Sequence, residues 1–460
     1  PNEQYSDAAN TPTIEINSGQ FNKIIMGNGM GTNAVSNLQN TTSNNIMGSS
    51  SASFGGTVTV DYTGKMKQED IGLIAGGNEI GTIYSNAIIN IKNGNVGKII
   101  GGNYADSSNR PTSWAYPLNT FIGTSTINIT GGQIENIIGA SYGRNVNGTT
   151  IKSDAYYYGT INIKISGGTI NSDIYGAGVG STTGYNTNSS DAYKSYGANV
   201  TTSTNINISG GTIKGNVYGG GYAYSENLTE AQQQLDSGAL YGNSNVIVNG
   251  SPTINGDIYG SGKGYNYSTV PNNSKMIGNT TVTISGTPTI GSGKIIYGAG
   301  NGLALSTTAG LTGNTTINMN ATINRSVYGG GNSTNVIGNT NVNLNASNNL
   351  AIYGGGNGTG KVSLKSSVNI NNGTYGTIYG GGQNNVSETS IIATGGQASY
   401  IYGGGINANS VTTKSNVNIK GTKIIGMVCG AGGANSTTTT TNVTLTSSSA
   451  TIPTVYGGSR

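Results

Sequence analysis

The chain contains no histidine. That absence removes Ser-His-Asp and Cys-His catalysis, histidine-ligated zinc, and any proton relay that needs an imidazole titrating near neutrality. A single cysteine, Cys429, leaves no internal disulfide, so stability has to come from packing and hydrogen bonding. Charge is scarce too: charged residues make up 8% of the 460 positions, against about 25% in ordinary globular chains. With four Arg and dispersed Lys there is no nucleic-acid footprint. No apolar run reaches the roughly 18 residues of a membrane-spanning helix, so membrane insertion by this segment is not expected. No signal-peptide core, sortase-type signal or lipid-anchor motif is visible, and Pro1 stands where an initiator Met would. The expectation is a mature or excised segment anchored by something outside it.

What is present is glycine, 78 residues of it, together with Asn, Thr and 28 Tyr. A Gly/Asn/Ser-rich chain of this kind reads as a linker until the apolar residues are placed, and these recur at regular intervals. A motif of Ile or Val, Tyr, then glycines appears as Ile174-Tyr175-Gly176, Val217-Tyr218-Gly219, Ile258-Tyr259-Gly260, Ile296-Tyr297-Gly298, Val327-Tyr328-Gly329, Ile352-Tyr353-Gly354, Ile378-Tyr379-Gly380, Ile401-Tyr402-Gly403 and Val455-Tyr456-Gly457. Degenerate copies include Ile25-Met26-Gly27, Ile74-Ala75-Gly76, Ile99-Ile100-Gly101, Ile137-Ile138-Gly139 and Val428-Cys429-Gly430. Most copies follow an alternating stretch such as STINITGGQI or TNINISGGTI, whose period of two buries Ile and Val on one face.

From Val327 to Val455 the motifs are 25, 26, 23, 27 and 27 residues apart, the length of one coil of a β-helix. The expected fold is all-β, a single-stranded parallel β-solenoid of about 14 coils, which at ~4.8 Å per coil would extend on the order of 65–70 Å. It is read as one continuous solenoid over 1–460, with a loop-rich half at about 82–312 and a short-coil half at about 313–460. In the loop-rich half the spacings lengthen to 38, 37, 43, 41, 38 and 31 residues from Ile99 onward. Each surplus falls directly after the glycines, which puts the insertions at the same corner of successive coils and so along one side. One insertion contains TEAQQQLDSG from Thr229, a candidate helix with an N-cap and Gly238 to stop it.

No catalytic constellation, metal site or cofactor site emerges. Carboxylate pairs remain open to glycosidase chemistry, and Asp173, Asn216 and Asp257 precede the motif on successive coils, but solvated residues on an outer face account for them better. Glu69-Asp70 reads as a solvated turn. GGNGTGKV, from Gly355, approaches a phosphate-binding loop, yet Val362 replaces the magnesium-binding hydroxyl and a strand is expected to follow. The glycine motifs lack the aspartate of calcium-binding nonapeptides. Cys429 takes the Tyr position of its coil and reads as a packed thiol.

Tyrosine is the positive signal. The motif tyrosines share their column with Ala75, Ile100, Ile138 and Cys429, which points to a covered position and to packing. A second aromatic set falls in the insertions and is divided between packing and ligand contact. Trp114, Tyr116, Phe121, Tyr156, Tyr157, Tyr158, Tyr185, Tyr193, Tyr222, Tyr224, Tyr265 and Tyr267 are the candidate ligand contacts, with Tyr104, Tyr142, Tyr196 and Tyr241 in the same regions. Exposed rings suit the apolar faces of sugars, with Asn and Gln supplying hydrogen bonds.

The IYGGGN units and TINISGGTI strands resemble bacterial extracellular β-solenoid adhesins and surface-repeat proteins, along nearly the whole chain. With loops gathered along one side, the architecture also looks like the tāpirin type of cellulose adhesin. That resemblance implies a non-catalytic binder of cellulose or another plant-wall glycan at the bacterial cell surface, with insoluble polysaccharide or cell wall as partner. The competing reading is a filament or layer subunit that stacks end to end. It draws on the charge division: residues 1–257 carry 16 acids against 11 bases, and residues 258–460 carry 10 bases and only Glu388. Such a division favours head-to-tail association, although charges are screened beyond about 8 Å in physiological salt.

Overall fold

In a computed structural model, residues 13–17, 71–77, 86–105, 120–143, 156–180, 200–223, 238–267, 274–302, 310–433, 435–446 and 452–459 are described, with short pieces at 21, 24–25, 57–60, 83–84 and 270–272. The chain divides into two compact units, Pro1–Lys214 with Gly220–Gly242, and Gly215–Gly219 with Asn243–Arg460. Both are parallel β-solenoids, and no helix occurs among the described residues. The candidate helix from Thr229 and the Glu69-Asp70 pair lie outside those residues.

In the first unit the wall of alternating strands runs through Ala87–Ile91, Ser125–Ile129, Ile161–Ile165 and Thr204–Ile208, all parallel and in register, with Ile89, Ile127, Ile163 and Ile206 stacked over one another. The period of two is realised literally: Ile161, Ile163 and Ile165 are buried, while Asn162 and Lys164 point outward. A Gly-Gly turn then leads to a second wall made by the motif itself, in which Ile99, Ile137 and Ile174 pair in sequence. The motif glycines turn the chain into a third, shorter wall before it re-enters the first.

The second unit repeats this plan. Thr280–Ile284, Thr315–Met319 and Thr340–Leu344 pair in parallel, as do Ile258, Ile296, Val327 and Ile352 in the motif wall. From Val362 the short entry strand and the alternating strand merge into single strands, Val362–Ile370, Val386–Ala393, Val411–Ile419 and Thr437–Leu445. The first of these follows the GGNGTG stretch, as the sequence indicated.

Two features of the interior explain the glycines. In the second unit the first inward position of each alternating strand is a hydroxyl, and Thr340 and Ser366 donate to the carbonyls of the motif glycines Gly354 and Gly380 at 2.6 Å each. Thr280, Thr315 and Thr389 do the same to Gly298, Gly329 and Gly403. This buried clamp ties two walls of a coil at the point where the chain turns. It also explains why the motif needs glycine: a Cβ on Gly354 would lie 2.2 Å from Ser366 Oγ and 2.4 Å from the Gly380 carbonyl of the following coil.

The motif tyrosines of the second unit form a ladder. Tyr218, Tyr259, Tyr297, Tyr328, Tyr353, Tyr379 and Tyr402 stack ring on ring, with centroids 4.3–5.6 Å apart and interplanar angles of at most 18°. Cys429 continues the column, paired between Tyr402 and Tyr456, and is fully buried. Burial pushes the Tyr297 and Tyr379 hydroxyls up to about 12. Tyr259 is raised further by burial and by its neighbour Asp257. Outside the core, Asn side chains bond along the coils: the carbonyls of Asn243, Asn279, Asn314 and Asn339 each accept the backbone N–H of the next coil at 2.8–3.1 Å.

Candidate functional site

The first unit shows where its insertions leave the coil and where they return. They leave from the third wall, where Tyr104 pairs with Tyr142 and Ala105 with Gly143, and where Tyr142, Val179 and Tyr222 are bridged in parallel. They return at short strands that are again in register: Thr120–Ile122, Tyr156–Tyr158, Val200–Thr201 and Leu240–Tyr241. The long segments after residues 105, 143, 180 and 223 therefore share one corner, which fits the expectation drawn from the spacing.

Aromatic residues collect at both edges of this corner. On the departing side, Tyr104 and Tyr142 meet at 5.7 Å between centroids, and the Lys98 ammonium lies 4.4 Å over the Tyr142 ring, close enough for a cation–π contact. Tyr222 stacks on the motif residue Tyr175 at 5.3 Å and 9°. The Tyr175 hydroxyl in turn donates to Asp173 at 2.9 Å. On the returning side, Phe121 and Tyr157 face inward, stack at 4.8 Å and are fully buried. The Tyr157 hydroxyl donates to the Gly123 and Thr160 carbonyls, and burial raises it well above the usual tyrosine range. Their neighbours point the other way: Tyr158 is 44% exposed, and Tyr156, Ile122 and Tyr241 are half-exposed.

The twelve candidate contacts thus separate. Phe121 and Tyr157 are core residues rather than loop residues, because the strands that carry them continue the inward column of Val200 and Leu240. Tyr222 is fixed at the root of an insertion. Tyr156 and Tyr158 face out. Tyr265 and Tyr267 belong to a hairpin in which Tyr265–Tyr267 pairs antiparallel with Val270–Asn272; their side chains lie outside the described residues. Trp114, Tyr116, Tyr185, Tyr193 and Tyr224 also lie outside them.

Ile122 and Tyr241 were not singled out as contacts. A signal for them exists in the sequence: each short strand ends in an inward apolar residue, one outward residue, and then usually Gly-[Thr/Asn]-[Ser/Thr], as in Phe121-Ile122-Gly123-Thr124-Ser125 and Leu240-Tyr241-Gly242-Asn243-Ser244. The outward position of that pentad is the one that matters here.

The carboxylates ahead of the motif are occupied by the scaffold. Asp257 accepts from the Tyr259 hydroxyl at 3.2 Å and from the Ile295 backbone N–H at 2.9 Å, and its own N–H donates to Asn216. Among the described residues no group of three Cys, Asp or Glu could hold a metal ion.

Parallel coils define both units as β-solenoids; the first bears four insertions that share one aromatic-lined corner, and the second is held by the buried hydroxyl clamp. No family model, curated protein or solved structure matches the chain.

Proposed function

We propose that the chain is an extracellular, non-catalytic adhesin of the bacterial surface that binds polysaccharide, cellulose or another plant-wall glycan, through the loop-bearing corner of its first unit. The observation that supports this most is the gathering of aromatic residues at both edges of a corner where four long insertions leave and return in register. Aromatic rings offer large, rigid contact area to the C–H faces of sugars, and the amides and hydroxyls of the same segments supply hydrogen bonds. The rest of the repeat is scaffold on this reading, since its motif tyrosines stack on one another in a ladder that is buried from Tyr218 to Tyr353.

Co-sedimentation of the purified chain with insoluble cellulose and with cell-wall material tests the reading. Retention is expected, and it should fall when Trp114 and the tyrosines of the insertions are replaced by Ala. A chain that stays in the supernatant with every polysaccharide contradicts the reading, and so does retention that survives those replacements.

A further inference from the structure

The turn from the alternating strand into the motif wall recurs along the coils, and it places a glycine at positive φ. Gly94 has φ 110, Gly132 81, Gly168 78 and Gly211 79 in the first unit; Gly250 has φ 62, Gly373 96 and Gly396 73 in the second. Glycine alone adopts that backbone freely. The residue before it is Gly131, Gly167, Gly210 or Gly395 in some coils, and Asn93, Asn249 or Asn372 in others. Where asparagine precedes glycine the turn carries its own electrophile. The nitrogen of the following residue can close a five-membered ring on the asparagine Cγ, and glycine has no side chain to obstruct it.

At Asn93 the two groups face each other. The Gly94 N–H donates to Asn93 Oδ1 at 2.9 Å. Oδ1 is one bond from Cγ, so the nitrogen already lies beside the carbon it would attack, and the hydrogen bond polarises the C=O. Asn93 is also half-exposed, within reach of water. Two other Asn-Gly pairs are tied to neighbouring coils instead. The Gly302 N–H donates to the Asn332 carbonyl at 2.8 Å, and Asn301 Oδ1 accepts from Asn332 Nδ2 at 3.0 Å. The Gly358 N–H donates to Gln383 Oε1 at 3.3 Å, while Asn357 Nδ2 donates to the Tyr297 hydroxyl at 3.0 Å and to Asn332 Oδ1 at 3.3 Å.

We propose that Asn93 is a site of spontaneous covalent modification, selected by this turn over the other Asn-Gly pairs of the solenoid. The Gly94 nitrogen gives up its proton and bonds to Asn93 Cγ. The Cγ–Nδ2 bond breaks, and Nδ2 leaves as ammonia with that proton, giving a cyclic imide. Water then opens the imide on either side, which leaves an aspartyl or an isoaspartyl residue and one new negative charge. The following coil sits directly on this peptide: the Gln133 N–H donates to the Gly94 carbonyl at 2.8 Å, and a Cβ on Gly132 would lie 2.7 Å from the Gly94 oxygen and 3.2 Å from its nitrogen. An isoaspartyl link lengthens the main chain here by one atom. Gly94 and Asn95 then lose their register with Gln133 and Ile134, and the join between two walls loosens at this coil.

Peptide mapping by mass spectrometry of the native chain ageing at mildly alkaline pH, beside the same chain unfolded in urea, tests the assignment. In the native chain Asn93 is expected to convert roughly tenfold or more faster than Asn301 and Asn357, and faster than Asn249 and Asn372; in urea these differences should largely vanish, because the orientation is lost. Native-state amide exchange on the aged chain should show protection falling at Gln133. In Asn93→Gly, which copies Gly131, Gly167 and Gly210, that decline should be absent, with circular dichroism confirming that the strands are kept. Conversion of Asn93 no faster than that of Asn301 and Asn357 in the native chain, or slower than that of Asn249 or Asn372, overturns the assignment, and the comparison needs no variant. A decline at Gln133 that persists in Asn93→Gly overturns the structural consequence.

Discussion

Replacing Gly354 by Ala should open the solenoid locally and severely, although it adds a single methyl group. The added Cβ would sit 2.2 Å from Ser366 Oγ, 2.4 Å from the Gly380 carbonyl oxygen and 3.1 Å from Val368 Cγ2. None of these is the loose end of a flexible side chain: two are part of the buried clamp in which Ser366 donates to Gly380 at 2.6 Å. Relief therefore requires either parting two coils that are hydrogen-bonded along both walls or breaking the clamp. Overpacking costs about 1–3 kcal/mol and a lost buried hydrogen bond about 1–2 more, so the total is about 2–5 kcal/mol.

Solenoids open repeat by repeat, so the loss should be read locally. Native-state amide exchange is the assay. Amides around Tyr353, Gly354 and Gly380 should lose protection by roughly 30- to 3,000-fold, a conversion at about 1.4 kcal/mol per decade. Strands several coils away, such as Thr280–Ile284, should change little. Adding Ser366→Gly to Gly354→Ala removes one of the two closest contacts and should restore part of the protection. Gly457→Ala, at the equivalent motif position with no atom within 4 Å of the new Cβ, should be silent. Protection around Gly354 that is unchanged in the Ala variant would refute the close-approach explanation of the motif glycines.

Other consequences follow from particular residues. Thr202 has φ 151 at a corner position where Gly123 and Gly159 have φ 152 and 146, a backbone region that β-branched residues avoid; Thr202→Gly should stabilise the first unit by about 1 kcal/mol or more in urea unfolding, despite losing the hydroxyl contact to the Gly159 carbonyl. Thr340→Val keeps the shape and leaves the Gly354 carbonyl without its clamp donor, at a cost of about 1–3 kcal/mol by the same assay. The ladder also sets an alkaline limit. Folded Tyr297 and Tyr379 ionise at about 12 against 10.0 for the free side chain. The folded state thus holds phenolic protons that the unfolded chain releases, so their stabilisation is complete below pH 10 and is lost as pH climbs through about 12. Ultraviolet titration should show the ladder tyrosines ionising together with unfolding, and smooth ionisation with intact circular dichroism would contradict this.

Much of the fold was legible because the repeat states it twice, once as alternation and once as spacing. The glycine-to-glycine distances identified the coil, and the position of the surplus residues identified the loop corner. Ala75, Ile100, Ile138 and Cys429 in the Tyr column announced that the column is covered, and Ile100, Ile138 and Cys429 are at most 1% exposed. The hydroxyl clamp was not legible, because its column also admits Ala87 and Ile161, so its chemistry shows only where the opposite wall comes within hydrogen-bonding distance. The triplet Tyr156-Tyr157-Tyr158 was not legible either. Three identical residues carry no phase, and it is the pairing with Phe121 and Val200 that turns Tyr157 inward and Tyr158 outward.

The central claim is that the repeat is scaffold and that recognition belongs to the corner. Hydroxyl-radical footprinting of the chain adsorbed on insoluble cellulose, compared with the chain in solution, tests it most directly. Protection is predicted at Ile122, Tyr156, Tyr158 and Tyr241 and within the insertions, with the exposed repeat residues Ile392, Tyr400 and Ile425 labelled equally in both states. Protection centred on those residues, with the corner still labelled, would contradict the account.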